Sequence, residues 1–156
     1  MARTRGDRKT LDLLSWQPVA PKVGRFADET VRAATISGKV SRAVSQVLND
    51  AKGREKDPLE RDDIAEKMSV FLGEDVSKNM LDAYSSQSRD THKISVVRAV
   101  ALMHATQDFR LLTMIAEELG LAVIPRQYEG TVREAILAEK IEEMKGELDS
   151  LRRGRK

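Results

Sequence analysis

The chain has 156 residues, with 27 Lys and Arg against 25 Asp and Glu, no Cys, one Trp, 40% hydrophobic and 33% charged residues. That length can bury one core without disulfides or metals, and zero cysteine excludes a disulfide scaffold, a zinc finger or ribbon, a thiol nucleophile and an iron–sulfur site. No apolar run reaches membrane-spanning length and no apolar stretch follows the basic start, so a soluble cytoplasmic protein with no membrane partner is expected.

The first ten residues are charged and aperiodic and are expected to be disordered. Leu11, Leu13, Leu14 and Trp16 form a short apolar anchor that Pro18 and Pro21 keep from becoming a helix, which predicts an extended strap. After Asp28, a plausible N-cap, the apolar set Val31, Ile36, Val40, Ala43, Val44, Val47 and Leu48 recurs mostly at three and four and predicts a helix over 29–50. Gly38 lies inside it and allows a break there into two shorter helices.

Residues 51–57 read as a linker. Pro58 is placed to open the next helix, whose first turn carries Glu60, Asp62 and Asp63, favoured by the helix dipole. Leu59, Ile64, Ala65, Met68, Phe71 and Leu72 supply its buried face, and Gly73 ends it. Another helix starts near Val76 or Ser77 with Met80, Leu81 and Tyr84 inward, followed by a polar loop over 85–91. Ile94, Val97, Val100, Ala101 and residues 103–105 mark a fourth helix. Leu111, Leu112, Ile115, Ala116 and Leu119 mark a fifth, between Asp108 and Gly120. Residues 121–124 are an apolar run before Pro125, either a short strand or extended chain. From Thr131 the chain is helical again, with Leu137, Ile141, Met144, Leu148 and Leu151 at heptad spacing. This seam packs on the domain or adds to a dimer contact. The predicted organisation is a basic arm and Trp-anchored strap over 1–27, a helical domain over 28–125, and a C-terminal helix with a basic tail over 126–156.

Charge is unevenly distributed. Residues 1–25 carry a net +4, residues 145–156 a net +3, and the body between them −5. Basic arms on an acidic body suit phosphate contact, although terminal charge also simply keeps frayed ends in solution. Catalytic chemistry is hard to find. There is no phosphate-binding glycine loop, no nucleophile elbow and no zinc-binding helix motif. His92 and His104 lack partners at ligand spacing, and Glu74 and Asp75 suit helix capping better than proton sharing. Neither an enzyme nor a cofactor or metal is expected.

The informative stretch is 59–112. Two helices joined by a turn, the second opening with small and polar residues, is what entry into the major groove requires. Ser77, Lys78 and Asn79 offer a hydroxyl, an ammonium and an amide, and Asn and Lys can pair with adenine and guanine edges respectively. Asp82 and Ser86 continue that face, Gln87 and Arg89 follow in the loop, and Lys93 comes before the next helix. The window 77–98 is +2 within the −5 body. Capping alone would also place polar residues at a helix start.

The succession of residues 63–69, 76–84, Ile94-Ser95, Ala101-Leu102 and 108–112 resembles the lambda-repressor-like helix-turn-helix family, over about a third of the chain. The resemblance implies an all-α bundle in which Ala65 sits at the helix crossing, Met80 or Leu81 is buried, and Ser77, Lys78, Asn79 and Asp82 face DNA. Residues 70–75 make the connection longer than that family's tight turn. Leu14-Ser15-Trp16, residues 72–77 and residues 80–84 are together similar to small uncharacterised early-region proteins of Mu-like transposable phages, which implies a setting of phage regulation or transposition. The expected function is DNA binding in phage transcriptional or transposition control. Ser77, Lys78, Asn79, Asp82, Ser86, Gln87, Arg89 and Lys93 would be the interface, with Arg3 and Arg5 on phosphate. A homodimer is an expected partner, with the heptad seam as one contact, and its two-fold symmetry would predict paired half-sites one turn apart. The alternative is a protein-interaction adaptor that docks on a phage or host protein through its C-terminal helix.

Overall fold

A computed structural model describes residues 23–86 and 93–154 of the chain. The described residues are helical, with no strand among them: α1 (Asp28–Val31), α2 (Ile36–Lys52), α3 (Arg61–Leu72), α4 (Lys78–Ser85), α5 (Val96–Thr106), α6 (Arg110–Glu118), a 3-10 turn (Arg126–Tyr128) and α7 (Glu129–Arg153). Two compact units result, one over Val23–Val123 and one that includes Ile124–Lys156.

The helix predicted over 29–50 is interrupted upstream of Gly38, at residues 32–35. Thr35 causes the break: its backbone is extended and its Oγ1 accepts the Gly38 N–H at 3.1 Å, satisfying an amide that the first turn of α2 leaves without a carbonyl. A Cβ at position 38 would lie 3.0 Å from the Ala33 Cβ and 3.3 Å from Thr35 Oγ1, so a larger residue there fits only if these neighbours move by a few tenths of an ångström. α3 likewise starts later than Pro58 suggested. Asp63 Oδ2 accepts the Glu60 N–H at 2.8 Å, so the capping geometry falls on Glu60 and the helix begins at Arg61. Pro58 stays in the connection, where the Leu59 N–H bonds the Ala51 carbonyl.

The core of the larger unit forms where α2 meets α4, α5 and α6, and α3 meets α4 and α5. Val44, Leu48, Ile64, Met68, Leu81, Leu102 and Leu111 are fully buried there. Many of the predicted apolar positions are buried, but Ile36, Leu112, Ile115 and Leu119 are exposed, and so are three more. Phe71 is 46% exposed and stacks on His104, with ring centroids 4.2 Å apart, while Val97 and Val100 lie on the outer side of α5. α5 is apolar on both sides, and its inner face is carried by Ala99, Leu102, Met103 and Thr106.

Arg110, at the start of α6, fastens three segments. Its guanidinium bonds Asp50 of α2 at 2.6 Å and Asp108 at 2.5 Å, and lies 4.6 Å from the Phe26 ring centroid. Asp108 Oδ1 also accepts the Arg110 N–H at 3.1 Å, as expected of a residue closing the helix start. Burial pushes the Asp108 carboxyl up, but the hydrogen bonds and charge of Arg110 outweigh burial and hold it below the usual carboxylate range.

The second unit is simple in its described part. That part opens on the end of the 121–125 stretch, which is irregular chain rather than a strand, and the 3-10 turn leads into α7, which has no buried residue. The heptad positions Leu137, Ile141, Met144, Leu148 and Leu151 are therefore all exposed within one chain.

Because the folded pKa of Asp108 is depressed, its contribution to stability is present above the unfolded value and is lost as pH falls through the folded one. Asp108→Asn should cost about 2 kcal/mol at pH 7 in urea unfolding. That deficit should shrink when the comparison is repeated below about pH 4. An equal deficit at both pH values would show that the Arg110 pairing is not its source.

Candidate nucleic-acid interface

The geometry of the predicted site depends on how α3 hands over to α4. Gly73 ends α3 in the left-handed region, at φ 69°, and its N–H bonds the Ser69 carbonyl at 2.9 Å. The returning chain is then fixed by one side chain. Ser69 Oγ accepts the Val76 N–H at 2.9 Å while donating to the Ala65 carbonyl at 2.8 Å. Val76 is buried, so this contact satisfies an amide with little access to water. Ser77 then caps α4, its Oγ accepting the Met80 N–H at 3.4 Å.

α4 buries Leu81, Ala83 and Tyr84, which leaves its first turn outward. Ser77, Lys78 and Asn79 are exposed, Asp82 and Ser86 are half-buried, and Lys93 is exposed ahead of α5. Gln87, Arg89, Arg3 and Arg5 lie outside the described residues, as do residues 1–22 of the arm, including the Trp16 strap, and His92. Of the predicted interface, the structure gathers Ser77, Lys78 and Asn79 on one edge, with Asp82 one turn further along α4.

The electrostatic surroundings differ from the predicted ones. Lys78 Nζ pairs with Asp62 Oδ2 at 3.0 Å, and that hydrogen bond, with the charge of Asp62, raises the lysine pKa. Asp82 is tied to Arg61 of α3, so it clamps the two helices as well as facing outward. Arg98, one of the cations behind the +2 window, is taken up by Glu74 at 3.2 Å and by the Tyr84 hydroxyl. Its pKa is raised chiefly by the Tyr84 contact. A shallow groove lined by Asp62, Glu66, Asp75, Ser77, Lys78 and Asn79 runs between α3 and α4. Three carboxylates thus share the edge that would face phosphate. Asp62 and Glu66 are four apart on α3, a spacing that puts both on one helical face and was the available sequence signal. Asn79, like Glu66 and Asp75 on this edge, has no side-chain hydrogen-bond partner among the described residues.

A wider cavity of about 930 Å³ lies away from α4, between α3 and α5, lined by Leu59, Val70, Phe71 and His104 with Asp63, Glu66 and Lys67 on its rim. None of the predicted interface residues lines it. Among the described residues no group of three or more His, Asp or Glu side chains is placed to hold a metal ion, and no helix is long and apolar enough to cross a membrane.

Residues 73–145 match the family model described as phage regulatory protein CII (CP76). The matched stretch begins at the glycine that ends α3 and takes in α4, α5, α6 and the larger part of α7. No curated protein and no solved structure matches the chain. The similarity supports a phage regulatory domain over the matched stretch.

Replacing Ser69 by Ala leaves the Val76 N–H without its acceptor, and should lower unfolding free energy by about 1–3 kcal/mol. Urea titration followed by circular dichroism measures this. A loss under about 0.5 kcal/mol, the range of an ordinary surface substitution, would mean that Ser69 does not hold the turn.

Proposed function

We propose that the protein is a phage transcription regulator that binds duplex DNA through a helix-turn-helix formed by α3 and α4. One observation carries this reading: α4 buries its apolar side and leaves a polar first turn, Ser77, Lys78 and Asn79, exposed where the 73–77 connection from α3 delivers it. That is the presentation a recognition helix needs, since its first-turn residues reach base edges while the preceding helix rests near the backbone. The similarity of residues 73–145 to a phage regulatory family supports the same setting. In this reading Asn79 pairs with a base edge. Lys78 exchanges Asp62 for a phosphate or a guanine acceptor. Asp82 keeps α4 registered on α3 through Arg61, and Lys93 and the basic terminal segments add salt-dependent phosphate contacts.

The exchange at Lys78 has a measurable consequence. Asp62→Asn removes both a competitor for the ammonium and a charge that repels phosphate. Affinity for duplex DNA, cognate and random alike, should rise several-fold, with a salt dependence steeper by about one phosphate equivalent. Weaker binding by Asp62→Asn would mean that the α3–α4 edge does not meet the backbone.

Asn79→Ala should lower affinity for a cognate duplex selected from a randomised pool by about 1–3 kcal/mol while leaving random duplex unchanged. Fluorescence anisotropy on both duplexes reads the difference, and equal losses on the two would remove Asn79 from base readout.

A second reading is favoured by the three carboxylates on this edge. They would suit a basic protein surface, with the chain acting as a regulatory adaptor. Retention of random duplex at low salt separates the readings, because an adaptor gives none.

A further inference from the structure

α7 carries an apolar stripe that is exposed among the described residues. Leu137, Ile141, Met144, Leu148 and Leu151 are between 47% and 69% exposed, and residues 134–151 make about 27 Å of continuous helix. The charges beside the stripe fall into two groups. Lys145 and Arg152 lie on one flank, and each pairs within its own helix, with Glu142 at 2.7 Å and Asp149 at 3.7 Å. Lys140 and Glu147 lie on the opposite flank and have no ion-pair partner among the described residues.

We propose that a second copy of this chain covers the stripe, its α7 running antiparallel with the crossing point between Glu142 and Glu143. In that register Ile141 packs on Met144 of the second copy and Leu137 on Leu148, and symmetry repeats both contacts. Lys140 then faces Glu147 of the second copy, twice, because antiparallel helices bring the same flank of each together. The competing arrangements are disfavoured by charge. A parallel pair in register sets Lys140 against Lys145 of the second copy and Glu147 against Arg152 of the second copy. Each favourable contact is then offset by a like-charge one, whereas the antiparallel register has no like-charge contact. Sliding the antiparallel pair by one heptad sets Lys145 against Lys145 and Glu147 against Glu147. Like charges in such positions select against a pairing more strongly than opposite charges strengthen one. Two heptads bury little area, so the association is expected to be reversible, with a dissociation constant on the order of micromolar. It stands independently of whether α4 binds DNA.

The test uses the full chain and analytical ultracentrifugation across a concentration series. The wild type should dimerise reversibly. Lys140→Glu and Glu147→Lys should each weaken the dimer by about tenfold or more, since each turns both cross-pairs repulsive. Mixing the two variants should restore a heterodimer, because one cross-pair then joins two carboxylate-to-ammonium neighbours in the native sense and the other joins them with the signs exchanged. Circular dichroism of each variant checks that the exposed substitutions leave the fold intact. A monomeric wild type overturns the proposal. So does a Lys140→Glu variant that dimerises more tightly, the signature of a parallel pair, or a mixture that stays monomeric.

Discussion

The Ser69 hydroxyl is the contact on which the functional face depends. A connection as long as residues 73–77 could leave α4 at many angles to α3, and the backbone alone does not choose among them. By accepting the Val76 N–H and donating to the Ala65 carbonyl, Ser69 ties the returning chain to the last turns of α3. Val76 is thereby drawn into the core, Ser77 falls at the cap, and the helix that follows has only one side on which to place Leu81 and Tyr84. The outward position of Ser77, Lys78 and Asn79 follows from that sequence of constraints.

The two ion pairs across the α3–α4 edge refine this arrangement in different ways. Arg61 with Asp82 joins partly buried groups and fixes the register of the helices. Lys78 with Asp62 joins exposed groups, where water and salt screen the attraction and leave it weak. A weak internal pair of this kind can be exchanged for a stronger external one. The same edge can therefore be net acidic in the free protein and still present a cation to a polyanion. Glu66 and Asp75 set the opposing term, which makes any binding here selective for geometry rather than for charge alone.

Much of the fold is legible in the sequence because its signals are local. Gly73, Ser77 and Asp108 mark helix ends by chemistry that acts within a few residues, and each does so in the structure. Leu81 and Leu102 follow from helical periodicity. The interruption at 32–35 is misread from sequence because Gly38 is the more conspicuous residue, whereas the capping oxygen belongs to Thr35. Val97 and Val100 read as inward because α5 is apolar around most of its circumference, and periodicity then carries no direction. Phe71 reads as core by its size, yet it turns outward onto His104, a contact between two helices that spacing within one helix does not encode. The site is legible as a set of exposed polar side chains and illegible as an electrostatic environment. Lys78 finds Asp62 sixteen residues away and Arg98 finds Glu74 twenty-four residues away, pairings that only the packed helices create.

Contact between DNA and the exposed first turn of α4 is tested most directly by titrating ¹⁵N-labelled protein with a duplex enriched from a randomised pool and following the backbone amide signals. The largest shifts should cluster at residues 77–79 and 82, with a smaller response at Asp62 as Lys78 changes partner. Shifts confined to α7 or to the cavity beside Phe71 and His104, with α4 silent, would contradict a recognition role for this helix.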